Sequence, residues 1–254
     1  MDRPEPVTPH PPERISLPSM LQAWSTIAFL HWRVDPAEIR PLVPAELAVD
    51  TFDGSAWVGL IPFCMHMRFP FDVPVPSLSS YPETNVRTYV VDQSGRRGLW
   101  FCSLDVPKAA AVAIARIGFG LPYAWSAMSL QREGATVSYS AERRQPGRGI
   151  RSSVAVTAGA PTWREPDELA HFLTARFRLF ARGPLGLYSI SVEHRPWSLA
   201  PAVLDEVDDA LVRSGGVDVV GKPDHVCVSE GVDVRVGWPA ALSRAVVPEF
   251  DRRP

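Results

Sequence analysis

Lysine is nearly missing from this 254-residue chain: Lys108 and Lys222 are the only two, so arginine supplies 24 of the 26 basic residues (26 less two). Any mechanism that forms an imine therefore has only two side-chain amines to draw on. Cysteine is sparse as well. Cys64, Cys102 and Cys227 are an odd, widely spaced set that builds neither a disulfide framework nor a CxxC metal pattern. Cys64 and Cys102 lie in apolar runs, where a free thiol serves as a small hydrophobe. No apolar run approaches the roughly 18 residues of a membrane span, and no signal-peptide core follows the start. A cytoplasmic protein with no membrane partner is expected. The formal charge of −2 leaves no basic excess for phosphates, which argues against nucleic acid.

The strongest short motifs are absent too: there is no P-loop, GxSxG elbow, HExxH or dinucleotide fingerprint. Glu168 and His171 make a single ExxH, whereas carboxylate-bridged metal sites use two. Neither a metal nor a cofactor is expected.

What is present is a soluble-type composition, 46% hydrophobic and 21% charged, on a length that fits one large domain. Residues 1–18 are proline-rich and expected to be a disordered lead-in, 19–244 one domain, and 245–254 a tail. Strands are expected at 24–34, at 55–69 with Pro62 marking an edge or bulge, and in a hairpin formed by 79–92 and 98–106. A second hairpin is expected from 134–144 and 149–159, with further strands at 186–197 and 231–239. Asp35 and Pro36 are suited to open a helix. An alanine-rich helix is expected over 108–120, a second over 165–181 on the spacing of Leu169, Phe172, Leu173, Phe177 and Phe180, and a short one over 202–215. Because strands and helices do not alternate strictly, the pattern predicts an α+β chain: a mainly antiparallel sheet curled into a barrel or cone, with a few helices outside.

The stretch "SSYPETNVRTYVVD" (79–92) alternates in an unusual way. Glu83, Asn85, Arg87 and Tyr89 share one face, and Thr84, Val86, Thr88 and Val90 the other. On an edge strand that polar row is a solvated surface with a weak Glu–Arg pair. On a closed sheet it lines an interior, where an acceptor, an amide, a forked cation and a hydroxyl could grip a small polar molecule. The partner strand places Trp100, Cys102, Leu104 and Val106 on one of its faces. His31 and Arg33 share a face of the first strand, and His31 is the best functional candidate among the histidines.

Several stretches in order then resemble a known family: "FLHWRVDPAEIRPLVP", "DTFDGSAWVGLIPF", "YPETNVRTYV", "GLWFCSLDV", "ARIGFGLPYAW", "FLTARFRLFAR", "VEHRPWSLAPA" and "SEGVDVRV". Over residues 20–240 the chain resembles the YqjF-like family of the acetoacetate decarboxylase-like superfamily. That resemblance implies a curled β-cone around a central cavity. The superfamily's decarboxylases form an imine through a lysine that follows Tyr-Pro after a helix; here the place reads Leu121, Pro122, Tyr123, Ala124, with no lysine pair. Their cavity glutamate lies in a Tyr-x-Glu segment, to which Tyr81-Pro82-Glu83 is similar, and this puts Glu83 in the lumen. An arginine from their amino-terminal segment has no clear match, with Arg33 and Arg87 as substitutes.

The expectation is a small carbonyl- or carboxylate-bearing ligand held in the cone. Glu83, Arg87 and Tyr123 would act in lyase-like acid/base chemistry without an imine (aldol, dehydration or cyclisation). Asn85, Tyr89, His31, Arg33, Trp57, Trp100 and Trp125 would bind and enclose the ligand. The alternative is a non-catalytic binding or sensing module. A homo-oligomer is left open.

Overall fold

The computed structural model describes residues 3–68, 80–159 and 166–242. Strand β1 (Met20–Val34) stops where Asp35 caps helix α1 (Pro36–Ile39). The Asp35 carboxylate accepts from the Ala37 N–H at 2.7 Å, and Pro36 fills a first-turn position that has no N–H to satisfy. After the short β2 (Ala48–Val49) come three long neighbours, β3 (Ala56–Arg68), β4 (Ser80–Val91) and β5 (Arg97–Val106). Asp92 shapes the β4–β5 turn by accepting from the N–H groups of Ser94 and Arg96. Helix α2 (Ala109–Phe119) ends on Gly120 at φ 64°, where any Cβ would lie 2.1 Å from the Arg182 carbonyl oxygen. A meander follows, β6 (Tyr123–Glu133), β7 (Thr136–Gln145) and β8 (Arg151–Ala158). The chain finishes with α3 (Glu168–Thr174), the hairpin β9 (Arg178–Gly183) and β10 (Gly186–His194), then β11 (Leu199–Asp209), α4 (Leu211–Ser214), β12 (His225–Val236) and β13 (Ala240–Ala241).

Three sequence expectations change, and a fourth is met in one of its alternatives. The helix expected over 165–181 stops at Thr174, because residues 178–183 pair with β10 and, in parallel, with β5. Phe180 is therefore buried by a sheet and not by a helix face. The helix expected over 202–215 shrinks to α4, since residues up to Asp209 pair with β8 along β11. β6 was not anticipated at all. Pro62 marks a bulge as expected, within a central strand and not at an edge: the β1–β3 register jumps between Leu30↔Leu60 and Ser25↔Cys64, on either side of Pro62, with Thr26 on β1 at φ 50°.

Residues 3–18 carry no helix or strand, but they are tied to the sheet. The Arg97 N–H donates to the Glu5 carboxylate at 2.8 Å, and the Ile15 N–H donates to Glu193 at 2.6 Å. Among the described residues no helix is long and apolar enough to cross a membrane.

Followed from strand to strand, the pairing closes two rings. One runs β4-β5-β6-β7-β8-β11-β12-β1-β3 and returns to β4. The other runs β5-β9-β10-β12-β1-β3-β4 and returns to β5. Both closures are possible because β5 and β12 each divide an edge. β5 gives Leu104–Val106 to β6 and Leu99–Trp100 to β9; β12 gives Cys227–Ser229 to β11 and Val234–Val236 to β10. The five shared strands β5-β4-β3-β1-β12 thus form a partition. On one side lies the main apolar core, with Leu30, Leu60, Val86 and Val90 facing Val137, Tyr139, Val154 and Val156 and plugged by Leu211 and Val212 of α4. On the other side lie α3, the β9–β10 hairpin and the row under question.

Candidate functional site

β4 stands in the partition, so neither of its faces meets bulk water. Thr84, Val86, Thr88 and Val90 are buried on the core side. Glu83, Asn85, Arg87 and Tyr89 are only 3, 6, 7 and 0% exposed on the other. Their neighbours follow from strand register: Phe63, Ile61 and Gly59 of β3 sit opposite Glu83, Asn85 and Arg87, and His31 of β1 sits opposite Gly59. Gly59 is required there, because a Cβ would stand 2.9 Å from the His31 ring. Phe29 and Cys227, paired across β1 and β12, continue the same wall.

Helix α3 covers this wall with its C-terminal end. The last carbonyls of a helix have no partner within it, and here buried side chains supply the donors. Arg176 Nε donates to Phe172 O at 2.7 Å, and Trp197 Nε1 to Thr174 O at 2.9 Å. Leu173 O receives both Arg87 Nη2 at 3.0 Å and the Tyr89 hydroxyl at 2.8 Å. Two cations at the negative end of the helix also suit its dipole. The Tyr89 oxygen lies 2.7 Å from His31 Nε2. Because Tyr89 gives its one proton to a carbonyl that can only accept, Nε2 must carry the hydrogen of the second bond. Burial, then the charges of His225 and Arg87, hold the His31 pKa well below 6.5, so its Nδ1 is a bare acceptor.

Four arginines are buried among the described residues, and three have carboxylates. Arg143 pairs with Asp105 at 2.8 Å, Arg176 with Asp50 at 2.7 Å, and Arg178 with Glu5 at 3.4 Å. Arg87 alone has no carboxylate partner among the described residues; it has the Leu173 carbonyl and the faces of Phe29 and Tyr89, 5.6 and 5.8 Å from its guanidinium carbon. Its Nε is unpartnered among the described residues, as are Glu83 Oε2, Asn85 Oδ1, His31 Nδ1, Trp57 Nε1 and His194 Nε2.

Glu83 is protonated at neutral pH. Burial first, and the Asp105 carboxylate second, push its pKa up to about 8. Tyr123 is raised by burial and by Glu83 beside it, and Tyr81, raised for the same two reasons, donates to Met67 Sδ at 3.1 Å. This end of the buried wall holds a neutral acid and two phenols. Among the described residues no group of three or more His, Cys, Asp or Glu could hold a metal ion.

Most of the expected residues meet here. Trp57 is buried against Tyr89, Leu99 and Phe172, while Trp125 is half-buried beside Tyr123, with Arg144 5.1 Å from its ring. Two do not. Arg33 is exposed at the strand end, where it donates to Ser55 Oγ at 3.1 Å with its guanidinium carbon 5.0 Å from the centre of the Trp57 ring. Trp100 lies on the core side, opposite Thr88, because a bulge shifts the β4–β5 register between Val86↔Ser103 and Arg87↔Phe101. The same bulge separates Trp100 and Cys102 from Leu104, so the four residues expected to share a face do not. Neither lysine is on the buried wall: Lys108 precedes α2 and Lys222 is exposed.

His194, Trp197 and Arg176 were not anticipated. His194 Nδ1 lies 2.7 Å from Arg195 O, and its ring packs 4.8 Å from both Phe177 and Trp197. The "HRPW" stretch was the only available signal. Two grooves open elsewhere, one of about 410 Å³ lined by Trp100, Phe101, Leu121 and Arg182, the other of about 500 Å³ lined by Trp32, Arg33, Asp218 and Asp224. Neither reaches the β4 row.

Comparison with known proteins agrees with this architecture. The model of DUF2071, described as an uncharacterized conserved protein, matches residues 21–233. The chain is 34% identical over 232 residues to the uncharacterized protein YqjF of Bacillus subtilis (strain 168), covering 89% of this chain and 95% of that one. Among solved structures it is similar to the enduracididine biosynthesis enzyme MppR complexed with pyruvate (TM-score 0.63, 14% identity, 91% and 93% of the two chains). It is also similar to an acetoacetate decarboxylase-like enzyme from Sphingomonas wittichii RW1 (TM-score 0.58, 18% identity, 89% and 94%). At these identities the structural likeness speaks for the fold.

Proposed function

The chain belongs to the DUF2071 family and has an acetoacetate decarboxylase-like fold, and on that premise we propose that it binds a small carboxylate-bearing molecule at Arg87. One observation carries this reading: among the described residues Arg87 is the buried arginine without a carboxylate, while Arg143, Arg176 and Arg178 each have one. A buried cation costs several kcal/mol in desolvation, and an anionic ligand is what offsets it. The guanidinium fork suits a carboxylate, and binding would exchange its bond to Leu173 O for a stronger charge-assisted pair. Leu173 O would keep the Tyr89 hydroxyl.

Protonated Glu83 would then serve as a general acid toward a second oxygen of the ligand, with Asn85 orienting it and Tyr123 supplying a further hydroxyl. Such a site favours lyase-like acid/base chemistry. With no lysine on the wall, imine formation is outside this reading. The same absence of a lysine favours, as a second reading, a module that binds and does not turn over. The pyruvate of MppR belongs to that protein, and it is the first acid to try here.

Titrating the purified chain with pyruvate, propionate and their neutral amides tests the site. The acids should bind and the amides should not. Arg87→Lys should weaken the acids by about 1–3 kcal/mol. Equal binding of acid and amide, or an Arg87→Lys variant that binds as the parent does, would overturn the assignment. Product formation would decide for the enzyme, and binding without product for the module.

A further inference from the structure

We infer that the ligand carries a hydroxyl group in addition to its carboxylate, and that His194 is the side chain that reads it. This inference rests on the anion site at Arg87. Among the described residues three acceptors around that site lack a donor, His31 Nδ1, His194 Nε2 and Asn85 Oδ1, and the unpartnered donors Arg87 Nε, Trp57 Nε1 and Arg176 Nη2 reach none of them. His194 is the firmer of the two histidines. Its Nδ1 faces a carbonyl oxygen at 2.7 Å, and a carbonyl only accepts, so Nδ1 holds the hydrogen. The second nitrogen, Nε2, is then a lone pair, kept bare because burial lowers the pKa to about 4. The ring centres of Phe177 and Trp197 lie 4.8 Å and that of Trp24 6.1 Å from the centre of the His194 ring, and the two indole N–H groups donate elsewhere, to Thr174 O and Gln22 Oε1.

The same rings connect it to the anion site. Trp197 stands 5.2 Å from Phe29, and the Arg87 guanidinium lies 5.6 Å from Phe29. A buried acceptor needs a donor, and a plain keto acid has none to give, so it would leave His194 unsatisfied. An ammonium group is a donor, but it would enter beside the Arg87 cation with Glu83 neutral. A neutral O–H satisfies the nitrogen without that repulsion. Sites built to hydrogen-bond a substrate hydroxyl discriminate strongly against analogues that lack it.

The test uses two matched sets of short acids on the full chain: lactate, pyruvate, propionate and alanine, then 3-hydroxybutyrate, acetoacetate and butyrate. In at least one set the hydroxy acid should bind about tenfold or more tighter than its keto and unsubstituted partners, with alanine weakest in its set. His194→Phe should bring the hydroxy acid down to the unsubstituted acid and leave the latter unchanged. Should that variant fail to fold, nitrogen NMR of the parent decides: the preferred hydroxy acid must shift the His194 Nε2 resonance, and its unsubstituted partner must not. Arg87-dependent binding with no preference for the hydroxyl in either set, or an unmoved Nε2 resonance, would overturn this inference alone. If none of the acids binds, the anion site itself fails with it.

Discussion

Replacing Arg87 with methionine should leave the unliganded fold about as stable as the parent or more so, whereas the same change at Arg143 should cost about 3–5 kcal/mol. Both guanidinium groups are buried, 7 and 6% exposed, so the transfer of the side chain from water is similar. What differs is the partner left behind. Arg143 donates twice to Asp105, each bond at 2.8 Å, and Asp105 is fully buried. Without the arginine that carboxylate keeps Ser126 at 2.6 Å and little else. Removing Arg87 strands no charge, and Leu173 O still receives the Tyr89 hydroxyl at 2.8 Å. The loss is one hydrogen bond from a charged group, about 1.5–3 kcal/mol, and two cation–ring contacts, to Phe29 and Tyr89, of about 0.5–2 kcal/mol each. The gain is relief from desolvating an uncompensated cation, several kcal/mol in the opposite direction. Urea denaturation of the two variants, with m held constant, reads the difference. A gap of 3 kcal/mol corresponds to about 1 M in midpoint when m is about 3 kcal/mol/M. If Arg87→Met fell as far as Arg143→Met, Arg87 would have to be a structural ion-pair member, and the argument for a ligand carboxylate would collapse.

Glu83 makes stability depend on pH in a defined direction. Its folded pKa of about 8 lies above the ordinary 4.5, so within that window the folded chain holds the extra proton and stability falls as pH rises. Read as the difference between the parent and Glu83→Gln, its share of the slope should approach 1.4 kcal/mol per pH unit between about 6.5 and 8, above the range in which His31 and His194, both depressed by burial, act in the opposite direction, and flatten above about 8; denaturation midpoints across that range measure it. An unchanged slope in the variant would remove Glu83 as its source. Gly59→Ala should cost about 1–3 kcal/mol and disturb the Tyr89–His31 contact, because the new methyl falls 2.9 Å from a ring that Phe29 already backs. Melting and the His31 ring resonances would show it, and an alanine variant as stable as the parent would mean the ring is not confined there.

The β4 row was legible because a strand separates its faces by a strict period of two. Which interior it faced was not, since that depends on ring closure by β9 and β10, strands a hundred residues away in sequence. The resemblance through Tyr81-Pro82-Glu83 pointed inward, and the buried carboxylate lies there. Trp100 was misplaced because one extra residue in β5 inverts every side chain beyond it, and nothing local announces that residue. The 165–181 segment fitted a helical period by coincidence: Phe177 and Phe180 keep the spacing but are recruited by β10 and β5. His194 and Arg176 were invisible for a related reason, because their surroundings, Trp24 and Asp50, come from the opposite end of the chain.

The partition formed by β4 also separates two kinds of evolutionary freedom. Its even-numbered positions from 84 to 90 are committed to the large hydrophobic interior, while the odd-numbered ones from 83 to 89 are buried on the opposite face, under α3. A lineage can exchange the polar chemistry of that second face by rewriting alternate letters of one segment. The scaffold on the reverse of the same letters need not be reinvented each time.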